Sequence, residues 1–387
     1  MSLAEPGGHD LSAGGDVLDR VTECAREALA CYGVRPEAVS PGAELSLLNV
    51  SENATFRVTD PDGRRSILRV HRLGYHSEAA IESELAWMDA LRAEAGIRTP
   101  RVLPATDGRR VVSAAGRHCV RFEFLPGSEP AGADGGPRAL AHFAELGAIT
   151  ARMHAHARNW ARPGWFTRFR WDDDDAFGAE HLIPRPPPQA PTSIPRPPPQ
   201  APASIPRPPP QAPAPRGRTG RWGRWRDGVG VGPAEAEILG QLERRLRERL
   251  ARYGAGPDKF GLIHADTRLA NLLVHEGTTA VIDFDDAGFG WYLYDLGTTV
   301  SFFEDDIAVP GLIAAWLAGY REAGGVLGPQ DIAETWTFIL FRRLLLTAWI
   351  GSHPAAAEAA EPGEPYTRGS CDLAEQYLSG RLTTRGF

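Results

Sequence analysis

The sequence predicts an α+β protein of two lobes, a small antiparallel sheet followed by a mainly helical half. Three observations predict it. Short β-type runs crowd residues 44–125, apolar residues recur at helical spacing over most of the remainder, and two apolar runs, Leu272–Val274 and Ala280–Ile282, flank a polar turn inside the helical half. A chain of 387 residues has room for two such units. The predicted division is a loose tail over 1–15, an N-terminal lobe over 16–125 and a C-terminal lobe over 126–387.

Asp16 reads as the N-cap of a first helix, with Val17, Val21, Cys24, Ala28 and Leu29 at helical spacing. Two strand-like runs over 44–72 surround a turn at Asp60-Pro61-Asp62-Gly63. The first run bends through Asn49–Asn53. A polar bend such as this, including Ser51 and Asn53, either offers backbone N–H groups to phosphates or is an ordinary hairpin turn; it has no glycine. Arg69 ends the second run with apolar neighbours on both sides, which places it on the opposite strand face from them. A helix over 77–93 follows, with Ile81, Leu85, Met88 and Leu91 along one stripe. Strands are expected over 101–112 and 118–125, the second stopped by Pro126-Gly127, and then a long helix over 138–158. His154 and His156 stand two apart, so they do not form a metal pair on a helix.

The motif IPRPPPQAP begins at Ile183, Ile194 and Ile205. Its prolines preclude a packed core and favour extended polyproline II. The repeat over 183–215 is either a docking site for a proline-recognising partner or an expanded surface loop. The run Arg221–Arg226, RWGRWR, either stacks on bases or anchors the loop by packing. Helices are then expected over 233–253, 307–323, 329–351 and 371–381.

Composition excludes several function classes. A net charge of −7 gives no electrostatic case for nucleic-acid binding. No window approaches the ~18 or more apolar residues of a membrane span, and the most apolar run, 338–350, is broken by Arg342 and Arg343. Cys24, Cys31, Cys119 and Cys371 lack metal-binding spacing and read as free thiols. A cytoplasmic protein without a signal peptide is expected. Basic residues are almost all arginine, and Lys259 is the single lysine.

Chemistry concentrates between Phe260 and Asp295. If Val274 faces Ala280 in the hairpin, Asn271 faces Asp283, and Asp266 stands five residues upstream of Asn271. One amide and two carboxylates then converge. Hard oxygen ligands in that number suit Mg²⁺, which takes one or two carboxylates together with substrate phosphates. Each residue alone reads equally well as a turn or cap residue.

Three short segments carry a family resemblance: His264-Ala265-Asp266 with Asn271, Ile282-Asp283-Phe284, and Tyr294-Asp295-Leu296. In spacing and order they resemble the aminoglycoside phosphotransferase family of the protein-kinase-like fold, whose relatives include choline kinase, one type of homoserine kinase and a bacterial stress-response kinase. The resemblance extends over about 44–350. It implies transfer of the γ-phosphoryl group of ATP (or GTP), with Mg²⁺, to a hydroxyl of a small molecule such as an aminoglycoside, an amino alcohol or homoserine. It implies that Asp266 accepts or orients the hydroxyl proton and that Asn271 and Asp283 hold the metal ion. Glu123 and Phe124 would present backbone groups to adenine, and Ser51 and Asn53 would lie over the phosphates. Glu84 would pair with the base of the earlier strand, where the family normally has lysine. Only Arg69 is well placed here, and it is bulkier and bidentate. Ala265 stands where glycine is common. Arg268 stands where histidine is common, either stabilising the transferred phosphoryl or bridging loop carbonyls. Asp295 is expected to brace the helical lobe, and His264 to pack below the metal-binding aspartate. Asp285, Asp286, Glu304, Asp305 and Asp306 are candidates to meet a cationic acceptor. Two other readings remain: a protein Ser/Thr kinase of the stress-response type, and a non-catalytic kinase-like protein that binds through its proline-rich segment.

Overall fold

A computed structural model describes residues 11–34, 44–50, 53–130, 134–172, 176–178, 221–353 and 363–384. Ser51 and the proline-rich repeat lie outside the described residues. Helix α1 (Leu11–Cys31) starts five residues ahead of the expected cap at Asp16. Gly14 and Gly15, at about 1 kcal/mol each relative to alanine, do not stop it. Strands β1 (Glu44–Val50), β2 (Ala54–Thr59) and β3 (Arg65–Val70), helix α2 (Glu78–Glu94), and strands β4 (Val111–Ala114) and β5 (Arg117–Glu123) complete the N-terminal lobe. The sheet is antiparallel in the order β1-β2-β3-β5-β4.

Alternation along the strands divides the lobe's packing. Ala54, Phe56, Val58, Leu68 and Val70 point to one face and are covered by Cys24, Ala25, Ala28 and Leu29 of α1. Val120 and Phe122 join Ile81, Leu85, Met88 and Leu91 of α2 in the larger core. Ser77 caps α2 through its Oγ, which accepts the Ala80 N–H at 3.3 Å. The strand expected over 101–112 forms only at its end, as β4. Upstream, Val102 makes a single bridge to Phe122, and Pro104 has no N–H with which to continue a ladder.

The C-terminal lobe contains helix α3 (Pro137–Asn159), strand β6 (Arg170–Trp171), helix α4 (Pro233–Tyr253), and strands β7 (Phe260–Ile263), β8 (Leu272–His275), β9 (Thr278–Val281) and β10 (Gly288–Trp291). Helices α5 (Tyr292–Thr298), α6 (Val309–Glu322), α7 (Pro329–Ala333), α8 (Thr335–Ser352) and α9 (Gly363–Leu378) follow. The helix expected over 329–351 is therefore two, parted at Glu334. That carboxylate accepts from Arg249 at 2.7 Å and from Thr337 Oγ1 at 2.6 Å, which fixes the start of α8. The last helix begins at Gly363 instead of near 371.

Every residue of α8 from Thr335 to Ile350 is buried. A helix surrounded on all sides needs no amphipathic stripe. Its two arginines are neutralised inside the protein. Arg343 reaches Glu304 at 2.7 Å and Ser370 Oγ at 2.9 Å. No helix among the described residues is long and apolar enough to cross a membrane.

Helices α3 and α6 cross with their backbones nearly touching. A Cβ at Gly319 would lie 1.8 Å from the Ala144 carbonyl oxygen, and one at Gly147 would lie 2.0 Å from that of Trp316. Gly319→Ala must push the helices apart and is expected to lower the unfolding free energy by about 1–3 kcal/mol. Urea denaturation reads this directly, and an unchanged midpoint would contradict the close crossing.

Candidate active site

The hairpin of β8 and β9 closes through Glu276 and Gly277, with φ of 48° and 73°. Two successive positive φ angles define a two-residue type I′ turn, whose twist matches that of paired strands. Leu272 therefore faces Val281 and Leu273 faces Ala280, one residue away from the expected register. The expectation had assumed a longer turn. Asn271 now accepts the Ile282 N–H on its carbonyl at 2.9 Å, and Asp283 follows one position later.

Asp295 holds the loop that carries Asp266. Its Oδ1 accepts the Ala265 N–H at 2.7 Å and its Oδ2 accepts the His264 N–H at 3.2 Å. Ala265 has φ 66°, a left-handed angle that glycine adopts more easily. The same Asp295 Oδ2 meets His154 Nε2 at 2.9 Å, and the Tyr320 hydroxyl meets His154 Nδ1 at 3.0 Å. Burial holds the His154 pKa below its ordinary value despite Asp295. This neutral histidine braces the carboxylate and is not a metal ligand. Thr267 completes the attachment, with its Oγ1 donating to the Asp295 carbonyl at 2.6 Å. His264 packs on Phe284, the residue after Asp283, at 4.5 Å between ring centroids.

Asp266 is buried, and burial alone would raise its pKa. Arg268, then Arg342, His264 and the Asn271 hydrogen bond outweigh that and hold it below the ordinary carboxylate value. Asn271 Nδ2 donates to Asp266 Oδ2 at 2.7 Å and to its carbonyl at 2.8 Å. Arg342 of α8 donates to Asp266 Oδ1 at 2.6 Å. Arg268 Nε lies 3.2 Å from Oδ1 and 3.3 Å from Oδ2, so it bridges the carboxylate and not loop carbonyls.

Across the cleft, Arg69 donates to Glu84 Oε1 at 2.7 Å. Glu84 is fully buried, and its charge, with those of Asp283 and Asp285, keeps Arg69 protonated against the cost of burial. Asp283 lies 3.7 Å from Arg69, with half of its side chain still meeting cleft solvent. Partial desolvation, with the like charges of Asp285, Asp266 and Glu84, raises its pKa despite Arg69. Asp285 is buried beneath it, 3.4 Å from His71 and 3.5 Å from His76.

Arg69, Asp266, Arg268, Asp283, Asp285 and Arg342 line one cleft of about 360 Å³ between the lobes. Its lining includes the apolar Leu48, Ile67, Met88, Phe122 and Leu125, the charged Arg69, Asp283 and Asp286, and the aromatic Trp222, Phe302 and Trp349, with Arg69 packed over the Phe122 ring at 5.1 Å. Asn53 lines the cleft, and its Oδ1 accepts the Arg72 N–H at 3.0 Å. Glu123 and Phe124 also border it. The Glu123 N–H is engaged by the Arg101 carbonyl at 2.9 Å, and the Phe124 ring lies under Arg65 at 4.1 Å. Of the five acids considered for the acceptor, only Asp285 and Asp286 line the cleft. Glu304 and Asp305 pair with Arg343, and Asp306 accepts the Ala308 N–H at 2.7 Å.

The donor set fits a hard cation. Asn271 uses its NH₂ on Asp266, which leaves its carbonyl oxygen for a ligand, and Asp283 adds a carboxylate with only a long ion pair. Among the described residues no group of three His, Cys, Asp or Glu side chains makes a metal site. Waters and substrate oxygens would complete the coordination of a cation held there. Sequence reasoning missed Arg342, whose charge in an apolar run read only as a break; Trp222 packs against Trp171 at 4.9 Å between ring centroids, as the packing alternative for the run 221–226 has it.

The phosphotransferase enzyme family is matched by residues 45–329. The chain belongs to this family. A solved microcompartment-associated aminopropanol kinase is 42% identical, with a TM-score of 0.73 over 92% of this chain and 97% of that one. A solved amicoumacin kinase, in complex with AMP-PNP, Ca²⁺ and Ami, shares the fold at 19% identity, with a TM-score of 0.63 over 94% of each chain. The amicoumacin kinase of Bacillus subtilis (strain 168) is 22% identical over 70% of this chain and 64% of its own length. This protein is a phosphotransferase of the kinase type, with a hydroxyl as acceptor.

Asp295→Ala strips the acceptor from two buried backbone N–H groups and from His154. At about 1–3 kcal/mol for each orphaned group, it is expected to lower the melting temperature by several degrees and to reduce kcat more than nucleotide affinity. Calorimetry and steady-state kinetics check both effects.

Proposed function

We propose that this kinase transfers the γ-phosphoryl group of ATP, with Mg²⁺, to the hydroxyl of a short amino alcohol, in the cytoplasm where ATP is supplied. The observation that carries this reading is Asp286, a carboxylate on the wall of the same cleft as Asp266, with the Tyr75 hydroxyl on its Oδ1 at 2.9 Å. A substrate ammonium beside it gains a charged hydrogen-bond partner. Trp222, Phe302 and Trp349 line the same cleft of about 360 Å³, a size that supports a small acceptor. The aminopropanol kinase with 42% identity supports the same class, and the neighbour solved with AMP-PNP supports ATP.

The roles follow from position. Arg69, fixed by Glu84, binds phosphate oxygens, and Asn53 borders that region. Glu123 and Phe124 border the cleft, whose apolar residues receive the base; since the Glu123 N–H is taken, other backbone groups of the strand end must bind it. Asn271 and Asp283 hold the cation, which neutralises charge on the phosphates when bound. Asp266, kept ionised, accepts the hydrogen bond of the acceptor hydroxyl and orients it for in-line attack.

The test is incubation with Mg²⁺–ATP and a panel of amino alcohols, homoserine, an aminoglycoside and a protein acceptor, read by mass spectrometry. Phosphate is expected on a short amino alcohol. Asp286→Asn is expected to raise the acceptor KM about 10- to 100-fold, the loss of roughly 1.4–2.8 kcal/mol, with little change in the KM for ATP. Equal turnover of the analogue lacking the amine overturns the role of Asp286. Phosphate on protein alone overturns the acceptor class.

A further inference from the structure

In the loop that follows Asp283, every carbonyl from Phe284 to Ala287 is bound by a side chain. The Phe284 carbonyl accepts from Arg168 Nη2 at 3.4 Å, and the Asp285 and Ala287 carbonyls accept from Nη2 and Nε of the same guanidinium. His76, just ahead of α2, donates from Nε2 to the Asp285 carbonyl at 2.8 Å, and Trp171 Nε1 donates to that of Asp286 at 2.7 Å. The Ala287 N–H closes the turn on the Phe284 carbonyl at 3.0 Å. At the head of the loop Asp283 has φ 60°, a left-handed angle that a residue with a side chain keeps only where its surroundings impose it. Asp283, Asp285 and Asp286 all line the cleft.

The fourth bond of Arg168 leads to the other lobe. Its Nη1 donates to the Ala80 carbonyl of α2 at 3.0 Å. Ala80 lies one turn before Glu84, which holds Arg69. The main chain beside Arg168 is tied to the same helix, since the Thr167 N–H donates to Ser83 Oγ at 2.9 Å. Arg168 itself is buried, and it is not among the residues that line the cleft. Its planar guanidinium, with donors at fixed angles, holds four carbonyls of two elements in one arrangement. A single ammonium on a flexible stem cannot do this.

We propose that Arg168 is a positioning residue that sets the cation-binding Asp283 against the Arg69–Glu84 pair by locking the loop 284–287 to helix α2. Asp283 and Arg69 act on the same phosphates from opposite lobes, Arg69 by donating N–H groups and Asp283 through the cation. Their side chains stand 3.7 Å apart. Both grips close on one nucleotide only while that separation is kept, and a loop free to shift satisfies one grip at the expense of the other. With the separation fixed, cation and nucleotide strengthen each other's binding by equal factors. The inference rests on the assignment of Asp283 to the cation and is independent of the acceptor.

The test is isothermal titration calorimetry of AMP-PNP, with Mg²⁺ or with EDTA in its place, on wild type, Arg168→Lys, Arg168→Gln and Asp283→Ala. The quantity read is the factor by which Mg²⁺ tightens AMP-PNP binding. Both Arg168 variants are expected to reduce that factor about tenfold, as on loss of a residue that orients a metal ligand, with little change in the affinity in EDTA. Asp283→Ala is expected to remove most of the factor. A role of Arg168 in stability alone shows differently, as a lower binding stoichiometry at an unchanged factor. A factor equal to that of wild type in every Arg168 variant that folds, while Asp283→Ala lowers it, overturns this inference alone. An unchanged factor in Asp283→Ala overturns the cation assignment and this inference with it. Arg168→Lys keeps the charge and most of the volume, so it reads the factor where the glutamine variant does not fold.

Discussion

One carboxylate fixes the geometry on which the chemistry depends. Asp295 receives the backbone N–H groups of the two residues before Asp266, and a neutral histidine and a tyrosine from the helical core orient it. A loop held through its main chain keeps its side chains aimed whatever those side chains are. That matters here because Ala265 adopts a left-handed conformation that alanine does not favour unaided. The clamp compensates for the missing glycine, and it ties the reacting loop to the most deeply buried part of the protein.

The cleft is built around arginine in a chain that has a single lysine. Arg69 occupies the place expected for a lysine and forms the ion pair with Glu84 that this place requires. Arg342 and Arg268 both contact the central aspartate. A guanidinium keeps its charge when buried, where an ammonium would lose it more readily. Its several donors also satisfy more partners, as the contacts of Arg342 with Ser301, Tyr294 and Asp266 illustrate. Arg69 and Arg342 consequently keep their positive charge despite burial.

What could be read in the sequence follows the range of the interactions involved. Asp266, Asn271 and Asp283 were legible because they interrupt short apolar runs within eighteen positions of one another. The hairpin was legible too, but its register was not: Glu276 gives no local sign of a positive φ, so the length of the turn stayed open. Arg69 and Glu84 were singled out only through the family resemblance, because neither residue announces its burial. Arg342 was illegible, since it meets Asp266 across 76 positions and a charge in an apolar stretch carries no address. His154 reads as a surplus side chain until Asp295 and Tyr320 are placed around it.

The proline-rich repeat enters and leaves the structure between two fixed points. Before it, the Gly178 carbonyl accepts from Arg247 at 3.2 Å; after it, the Trp222 carbonyl accepts from Ser352 Oγ at 2.7 Å. Trp222 is also part of the cleft wall. The copies recur with a period of eleven residues. For a flexible loop a doubling of length adds only roughly 0.6 kcal/mol of closure entropy, so the number of copies between these two anchors is weakly constrained by stability.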